Sequence, residues 1–534
     1  MAHLIHDFIF EAARRTPQAV ALSYQGVRLG YATLAQQVAA VAAGLLAHGL
    51  GRAERVAVYL EKRPEAVAAM FGAAAAGAVF VPVNPLLKPD QVAYILANCT
   101  VRILVTSRER LQQLAEVLPQ CPGLHTVVVT GGIDGVDCGP EHGLHFVPWD
   151  GLLQLAALEP AQRCIDSDMA AILYTSGSTG KPKGVVLSHR NLVAGAHSVA
   201  GYLRNTAKDR ILCVLPLSFD YGLSQLTTAF ASGACAVLMN YLLARDIVET
   251  VEVEAITGLA AVPPLWIQLS RLTWPGGHRL RYLTNSGGAM QRATLDALRL
   301  ALPHTRIYLM YGLTEAFRST YLEPEQLALR PDSIGKAIPN AEVLVLRPDG
   351  SVCGDDEPGE LVHRGALVAL GYWNDPQQSA LRFRPLPARQ GGLPPPELAV
   401  WSGDTVRRDR DGYLYFVGRA DDMIKTSGYR VSPGEIEEVV YASAMVQEAA
   451  AFGVAHPVLG QAIVLLACPA APADGAAPVS AARLIAACKA ALPTYMVPGW
   501  VELRGEPLPR NPNGKIDRKL LAEQMAHVFR QELP

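Results

Sequence analysis

Residues 174–184 read Tyr-Thr-Ser-Gly-Ser-Thr-Gly-Lys-Pro-Lys-Gly, and no other stretch of the chain is as informative. They directly follow the apolar run 169–173, which predicts a buried strand. Glycines allow backbone amides to turn toward an anion, hydroxyl groups add hydrogen-bond donors, and lysines add positive charge. The stretch therefore predicts a loop that wraps phosphates at the end of a strand.

This loop is not a Walker-type P-loop. That motif requires Gly-x4-Gly-Lys-[Ser/Thr], but no glycine stands at the required position before Gly180, and Pro182 replaces the hydroxyl that binds magnesium. Proline also has no amide to donate. Two interpretations remain from these residues alone, namely a phosphate loop of another kind and a flexible polar turn at the surface.

The composition indicates a globular chain with more than one domain. Its 534 residues are 50% apolar and 18% charged, and the length exceeds that of one ordinary core. The net charge of −2, without a basic cluster, gives no electrostatic reason to expect nucleic acid or an anionic membrane as partner. The nine cysteines lack the spacing of a zinc site, which fits reduced thiols in the cytoplasm.

We expect neither a secretory signal nor a membrane span. The apolar stretch near the N-terminus contains two acidic residues. Residues 66–83 are uncharged, but they are rich in alanine and are interrupted by Gly72, Gly77 and Pro82. A buried helix followed by the strand 78–81 explains this segment better than a transmembrane helix. The expected location is cytoplasmic.

Short strands alternate with alanine-rich helical segments through most of the first 420 residues. Examples are the strands 55–60, 101–106 and 210–216 and the helix 64–76. Such alternation predicts an α/β fold whose parallel sheets are covered by helices on both faces. Helices become rare from about residue 340, which predicts a β-rich region. We find no internal repeat, and a compact α+β pattern follows a boundary near 419–422.

Polar side chains follow two further predicted strands. Thr314 and Glu315 come after the run 306–310, and a hydroxyl with a carboxylate suits Mg²⁺, although a capped turn is an alternative. The glycines of segment 285–289 would let a flat ring approach the backbone closely.

Three more polar residues lie later in the chain. Asp404 and Arg419 could hold ribose hydroxyls. Alternatively, each belongs to a hairpin or to a surface ion pair worth less than about 1 kcal/mol. Lys515 follows an Asn-Gly turn, whereas most lysines near the end of a chain simply face water.

Taken together, these segments resemble the superfamily of AMP-forming adenylating enzymes: acyl-CoA synthetases, amino-acid adenylation domains of peptide synthetases, and luciferases. The resemblance runs from about residue 5 to residue 520, with the motifs in the superfamily's order. It implies a large N-terminal domain of αβ-layered subdomains plus a β-rich region at residues 1–420. A small mobile α+β domain at 421–534 would follow, with Asp421 at the hinge and the active site between the domains.

The resemblance also implies a role for each matched residue, with ATP and Mg²⁺ as cofactors. The residues expected to bind ATP, in the order phosphate loop, adenine and ribose, are Thr175, Ser176, Gly177, Ser178, Thr179, Gly180, Lys183, Gly287, Gly288, Tyr311, Asp404 and Arg419. The expected catalytic residues contact the phosphates, the magnesium ion and the substrate carboxylate, and they are Thr314, Glu315 and Lys515. Glu315 is the expected magnesium ligand.

The expected substrate is an amino acid or another amine-bearing acid. Phe219 and Asp220 resemble an element of amino-acid adenylation domains whose aspartate binds the α-ammonium group, where many acyl-CoA synthetases have histidine. Segments 492–498 and 513–519 also resemble peptide synthetases, whereas the Tyr-Gly-Leu-Thr-Glu motif is closer to acyl-CoA ligases. Arg318 is a candidate for binding a second carboxylate, and a solvated or ion-paired arginine is the alternative.

The expected acyl acceptor is a separate thiol, either coenzyme A or a free-standing phosphopantetheinyl carrier protein, because only a short segment follows Lys515. Segments 188–195, 263–268 and 316–320 resemble AMP-forming acyl-CoA ligases found with exosortase systems. That likeness implies an alternative substrate, a plain fatty or other carboxylic acid in exopolysaccharide-linked metabolism. A luciferase-like enzyme would share the first half-reaction, and a non-catalytic relative would usually have lost Glu315 or Lys515.

Overall fold

A computed structural model describes residues 2–133, 143–154, 164–175, 181–386, 397–419, 423–470, 478–510 and 516–529. The predicted domain boundary at residue 420 and the predicted hinge residue Asp421 lie outside these residues. No helix within them is both long and apolar enough to cross a bilayer. As predicted, the alanine-rich segment forms the buried helix Pro64–Ala75 followed by the strand Val79–Pro82.

The first sheet has eight strands, and most neighbours in it are parallel. In spatial order they are Gly371–Tyr372, Lys183–Ser188, Met169–Thr175, Val79–Pro82, Arg55–Tyr59, Val101–Ser107, Thr126–Thr130 and His145–Pro148. Parallel strands covered on both faces form nearly continuous apolar runs, as the fully buried strand Val79–Pro82 illustrates. Met169–Thr175 pairs antiparallel with Lys183–Ser188, and Thr175 lies opposite Lys183. This register brings the two ends of the predicted phosphate loop side by side.

The second sheet has fourteen strands and changes from parallel to antiparallel pairing at the strand Arg306–Tyr311. Its parallel part comprises Val20–Tyr24, Cys235–Leu238, Arg210–Cys213, Gly258–Ala261, Tyr282–Asn285 and Arg306–Tyr311, with Val27–Gly30 antiparallel at the edge. Its antiparallel part comprises Thr320–Leu322, Ser333–Ala337, Leu414–Arg419, Leu398–Arg408, Gly359–Gly365, Ala341–Leu346 and Phe383–Pro385. The predicted β-rich region is thus confirmed, as a continuation of the parallel sheet.

Helices separate and cover the two sheets. Those of the N-terminal domain are Asp7–Arg15, Tyr31–Ala47, Pro64–Ala75, Pro89–Asn98, Arg108–Leu114, Trp149–Leu153, His189–Leu203, Asp220–Ser232, Ala244–Val253, Pro263–Leu269, Arg292–Ala301 and Pro376–Arg382. The largest core cluster joins side chains of both sheets, such as Val56 and Leu22, to helical residues such as Phe71. Two further clusters cover the outer faces of the sheets. This is the layered α/β arrangement that the alternation of strands and helices predicts.

The C-terminal domain is a small α+β unit. Its five-stranded sheet contains Tyr429–Val431, Ile424–Thr426, Gly460–Pro469, Val446–His456 and Trp500–Leu503. Its helices are Pro433–Ala442, Ala481–Ala491 and Arg518–Gln524, and the hydroxyl of Ser480 caps the second by accepting the amide of Arg483. Apolar side chains pack on both faces of this sheet. The expected fold class, a large α/β domain with a small α+β domain, is confirmed.

The start of the helix Asp220–Ser232 is packed unusually closely against the preceding loop. A Cβ atom at Gly222 would overlap the backbone carbonyl oxygen of Pro216. The amide of Phe219 also donates to that carbonyl, at 3.1 Å. Gly222 therefore sets how near the helix, and with it Asp220, approaches the end of the strand Arg210–Cys213.

We expect Gly222→Ala to lower the stability of the fold because the backbone must shift to admit the methyl group. Overpacking of this kind costs about 1–3 kcal/mol. The matched control is Gly201→Ala, in the helix His189–Leu203, where an added Cβ meets nothing within 4 Å. The control should gain about 0.5–1 kcal/mol, since alanine favours a helix over glycine. Guanidinium unfolding of both variants tests this, and equal midpoints would contradict the close packing at Pro216.

Candidate active site

A cavity of about 180 Å³ opens between the large domain and the small one. The residues of the large domain that line it are Pro82, Asn84, Leu87, Gln91, Ile95, Tyr174, Thr175, Pro182, Ser218, Phe219, Asp220, Gly287, Gly312, Leu313, Thr314, Glu315, Arg382 and Asp404. Those of the small domain are Lys425, Gly428, Tyr429, Arg430, Glu435, Tyr495 and Met496. Most of the predicted site residues that the structure describes therefore surround one space.

The two described ends of the phosphate loop lie at this cavity. Thr175 lines it, and Lys183 lies opposite Thr175 on the neighbouring strand. Lys183 Nζ donates to Gln378 Oε1 at 3.1 Å and lies 5.5 Å from the centre of the Tyr372 ring. Burial lowers the pKa of Lys183 despite the nearby carboxylates of Asp375 and Glu315. The loop residues Ser176, Gly177, Ser178, Thr179 and Gly180 lie outside the described residues.

Glu315 is a buried carboxylate held by residues from two directions. It lies in the 3-10 turn Thr314–Ala316, just beyond the strand Arg306–Tyr311, and is 3% exposed. Tyr372 Oη donates to Glu315 Oε1 at 2.7 Å, and Arg382 Nε lies 4.0 Å from the same oxygen. Burial alone would raise the pKa of Glu315, but Arg382, Arg430 and the Tyr372 hydroxyl hold it below its ordinary value. The carboxylate is therefore charged at neutral pH.

Tyr372 and Arg382 are site residues that the sequence analysis missed. Tyr372 sits in the two-residue strand Gly371–Tyr372, and Arg382 ends the seven-residue helix Pro376–Arg382. Elements this short carry no periodic pattern, and neither residue belongs to a glycine-rich or acidic motif. No local pattern in the sequence distinguishes either residue from a packing residue.

The predicted adenine residues lie at the ends of two adjacent strands, and the predicted ribose residues pair across two other neighbouring strands. The hydroxyl of Tyr311 donates to the carboxylate of Asp404, and both side chains are buried. Asp404 pairs in register with Arg419, whose side chain lies outside the described residues. Gly287 has a left-handed backbone (φ +81°), which glycine adopts without a steric penalty.

Gly288 is packed beside Pro263, the first residue of the helix Pro263–Leu269. Its carbonyl accepts the Asn285 side-chain amide at 3.0 Å, and an added Cβ would lie 3.1 Å from Pro263 Cγ. Gly287 lines the cavity, whereas Gly288 does not. The backbone at Gly287 therefore offers the open, close approach that a flat ring requires.

The two predicted substrate residues with opposite charges face each other. Arg318 Nη2 lies 3.5 Å from Asp220 Oδ2, and Arg318 is only 2% exposed. The Arg318 guanidinium also lies over the ring of Tyr221, 4.6 Å from its centre. Burial raises the pKa of Asp220, and Arg318 opposes that rise. Asp220 and Phe219 line the cavity, but Arg318 does not. Arg318 therefore acts on the cavity only through its ion pair with Asp220.

Phe317 determines where Arg318 points. Its backbone has φ +53°, a region that residues other than glycine seldom adopt, and its ring is fully buried. The ring fits against Gly195 of the helix His189–Leu203, where an added Cβ would lie 2.5 Å from Phe317 Cδ1. The chain thus turns sharply at Phe317 and directs Arg318 toward Asp220.

Comparison with known proteins shows the family to which the chain belongs. Residues 9–373 match the family described as AMP-binding enzyme, and residues 435–515 match the AMP-binding enzyme C-terminal domain. The chain belongs to the AMP-binding enzyme family. The predicted superfamily is therefore confirmed. Members of this family that are similar to the chain include acid–thiol ligases, and the chain spans only a small part of several longer curated relatives.

Three similar proteins illustrate the range of the family. An L-proline–[L-prolyl-carrier protein] ligase of Pseudomonas fluorescens is 30% identical over 98% of this chain and 99% of its own. Tyrocidine synthase 2 of Brevibacillus parabrevis is 31% identical over 99% of this chain, which spans only 14% of that protein. A double mutant of o-succinylbenzoate CoA synthetase from Bacillus subtilis, solved with a product analogue, is 26% identical with a TM-score of 0.80, covering 96% of this chain and 97% of its own.

A second cavity of about 360 Å³ adjoins the first in this AMP-binding enzyme. The two share several lining residues: Pro82, Asn84, Ser218, Phe219, Gly428 and Tyr429. At this junction the Phe219 ring lies 4.9 Å from the Tyr429 ring, which stacks on Tyr495 at 3.7 Å. The second cavity therefore meets the first beside Phe219 and Tyr429.

Glu315 is the described residue that fits a magnesium ion. No group of three His, Cys, Asp or Glu side chains among the described residues could hold a metal by itself. Mg²⁺ in nucleotide sites usually takes one or two carboxylates and completes its shell with phosphates and water. A buried, hydrogen-bonded and charged carboxylate such as Glu315 suits an ion that arrives with ATP.

We expect Asp220→Asn to destabilise the protein because it leaves the Arg318 guanidinium buried without a carboxylate. Removing one partner of a buried pair costs about 3–5 kcal/mol. The double variant Asp220→Asn/Arg318→Met should recover most of that loss, since it removes both charges. Unfolding by urea measures both.

The control for this prediction is the exposed pair of Arg292 and Asp296, one helical turn apart, with both side chains about half exposed. Asp296→Asn should have a much smaller effect, because exposed pairs contribute little. Equal losses in Asp220→Asn and in the double variant would show that the Asp220–Arg318 pair is not coupled.

Proposed function

We propose that this enzyme activates an amino acid or another amine-bearing acid with ATP and passes the acyl group to a separate thiol. The proposed substrate class rests on Asp220, the first residue of the helix Asp220–Ser232. Its carboxylate lines the cavity. A carboxylate in that position would accept hydrogen bonds from a substrate ammonium group. The similar prolyl-carrier protein ligase supports an amino acid as the substrate class.

The first half-reaction joins two anions. A carboxylate oxygen of the acid attacks the α-phosphorus of ATP, the bond from that phosphorus to the bridging oxygen breaks, and pyrophosphate leaves. Positioning and charge neutralisation therefore dominate over acid–base catalysis. Among the lining residues, Arg382, Lys425 and Arg430 supply positive charge. Thr175 and Lys183 flank the loop proposed to hold the departing pyrophosphate, and Glu315 would hold magnesium, which neutralises phosphate charge when bound.

The second half-reaction needs access for a thiol. Its sulfur attacks the carbonyl carbon of the adenylate, AMP leaves with the mixed-anhydride oxygen, and the thiol proton passes to solvent. The second cavity, which meets the first at Phe219 and Tyr429, is the proposed path for this thiol. Small-domain residues at the junction, such as Gly428, make the path depend on the position of that domain.

A plain carboxylic acid is the second candidate substrate, and one observation favours it. Arg318 already provides Asp220 with a cation at 3.5 Å, so Asp220 does not need a substrate ammonium group for charge compensation. This candidate agrees with the sequence's resemblance to exosortase-associated acyl-CoA ligases. It would give the enzyme a role in exopolysaccharide metabolism. Binding of an amine-bearing acid requires Asp220 to accept a second cationic partner on its cavity side.

Lys515 is proposed as the residue that bridges the substrate carboxylate and the α-phosphate. We expect Lys515→Ala to slow adenylate formation roughly 10²–10³-fold, the usual loss for one electrostatic stabiliser. ATP–pyrophosphate exchange measures this step. The control is Lys519→Ala, which removes an exposed lysine four residues away and should leave exchange unchanged. Wild-type exchange in Lys515→Ala would contradict the assignment.

The substrate class is tested by ATP–pyrophosphate exchange with amino acids, dicarboxylates and unsubstituted fatty acids. We expect exchange with an amine-bearing acid. Asp220→Asn should raise its KM about tenfold or more, since one charge-assisted hydrogen bond contributes about 1.5–3 kcal/mol. Arg318→Lys keeps a cation beside the Asp220 carboxylate and should raise KM less than Asp220→Asn does. Exchange only with fatty acids, or equal effects of both variants, would favour the plain acid.

A further inference from the structure

Four exposed apolar side chains line the second cavity or directly follow a lining residue in the chain. Leu86 and Tyr241 line this cavity and are 50% and 37% exposed. Leu242 and Leu243 follow directly in the chain and are 88% and 45% exposed. We call these four residues the rim patch. Clustered exposed apolar residues, unlike scattered ones, mark interaction sites.

Hydrogen bonds hold the rim patch in place. The carboxylate of Asp246 accepts the amides of Leu242 and Leu243, at 3.3 and 2.9 Å, where the helix Ala244–Val253 begins. The side chain of Asn84 accepts the amide of Leu86 at 3.0 Å. These hydrogen bonds hold the backbone in one conformation, and the apolar side chains are exposed to water in that conformation.

A second connection ties the rim patch to the charged wall of the cavity. Asn240, next to Tyr241, accepts the amide of Lys62 at 3.2 Å and donates to its carbonyl at 2.8 Å. The Lys62 side chain then extends along the wall, where Nζ donates to the carbonyl of Val214 at 3.1 Å. Lys62 thus begins at the rim and points into the cavity.

The charge of this cavity matches one phosphate group. The charged side chains that line its described wall are Glu61, Lys62 and Arg110. Arg110 Nε pairs with Glu61 at 2.8 Å, which leaves the charge of Lys62 without a carboxylate. A pantetheine arm attached to a protein carries one phosphodiester with a single negative charge. Coenzyme A carries a diphosphate and a phosphomonoester, roughly four negative charges at pH 7.

We propose that the acyl acceptor is a carrier protein rather than coenzyme A, and that the carrier docks on the rim patch. Its pantetheine arm enters the second cavity, and the phosphodiester at the base of the arm lies near Lys62. An apolar surface of the carrier covers Leu242 and its neighbours. This inference rests on the proposed acid–thiol ligase function, and it names the partner of that same site.

The test uses the acid that supports the fastest pyrophosphate exchange and three acceptors. They are the phosphopantetheinylated carrier proteins encoded in the organism's genome, free phosphopantetheine, and coenzyme A. We expect thioester formation on one of the carriers with a kcat/KM at least about tenfold above that for coenzyme A, equivalent to about 1.4 kcal/mol. A preference for coenzyme A over every carrier would overturn the proposal.

The variant Leu242→Arg separates the rim patch from the chemistry. Burying one leucine contributes about 1.5–3 kcal/mol, so kcat/KM for the carrier should fall about 10–100-fold. Acylation of free phosphopantetheine, which has no protein surface, should keep its wild-type rate. Leu300→Arg is the matched control, because Leu300 is 85% exposed but does not line the cavity, and it should change neither reaction.

The remaining outcomes each decide the proposal. Equal carrier acylation by Leu242→Arg and Leu300→Arg would overturn it. So would a change in the oligomeric mass of Leu242→Arg with unchanged carrier acylation, since the rim patch would then join two copies of this chain. Absence of exchange with every acid would instead overturn the proposed function itself. Intact exchange without carrier acylation overturns only the choice of partner.

Discussion

The buried carboxylate of Glu315 is the constraint on which the rest of the described site depends. A carboxylate removed from water needs hydrogen bonds and nearby positive charge. Here they come from Tyr372 on the eight-stranded sheet and from Arg382 on the helix that follows, whereas Glu315 lies in the turn after the strand Arg306–Tyr311 of the fourteen-stranded sheet. The contacts of Glu315 therefore join the two sheets at this point. The same arrangement brings Thr175, at the described end of the phosphate loop, to the cavity that Glu315 lines.

The residues that could be predicted from the sequence are those that belong to a recognisable local motif. Glycine and hydroxyl runs after apolar strands located Thr175, Gly287 and Glu315, and parallel pairing then brings such strand ends to one edge of the sheet. The sequence could not predict Tyr372 or Arg382, because their roles depend on contacts with residues 57 or more positions away rather than on a local pattern. From the sequence, an ion pair was only one alternative for Arg318, and Asp220 was not named as its partner. Sequence spacing does not show which carboxylate an arginine contacts.

The two adjoining cavities fit the two half-reactions that we propose for this site. The first holds the charged groups suited to a nucleotide and an acid, and the second is mostly apolar and reaches the surface near Tyr241. Tyr429 and Gly428 of the small domain line both cavities. A displacement of the small domain would therefore alter the acid's surroundings and the thiol's path together, which couples the order of the two reactions to the position of one domain.

The close contact of Gly195 with Phe317 offers a route to altered substrate selectivity. Arg318 lies behind Asp220 in the proposed acid pocket. Its direction depends on the turn at Phe317, whose ring occupies the space that Gly195 leaves free on the helix His189–Leu203. A small addition at Gly195 would move the Phe317 ring and carry the Arg318 guanidinium away from Asp220. Protein engineers could thus enlarge or recharge the pocket from a position that itself touches neither substrate nor nucleotide.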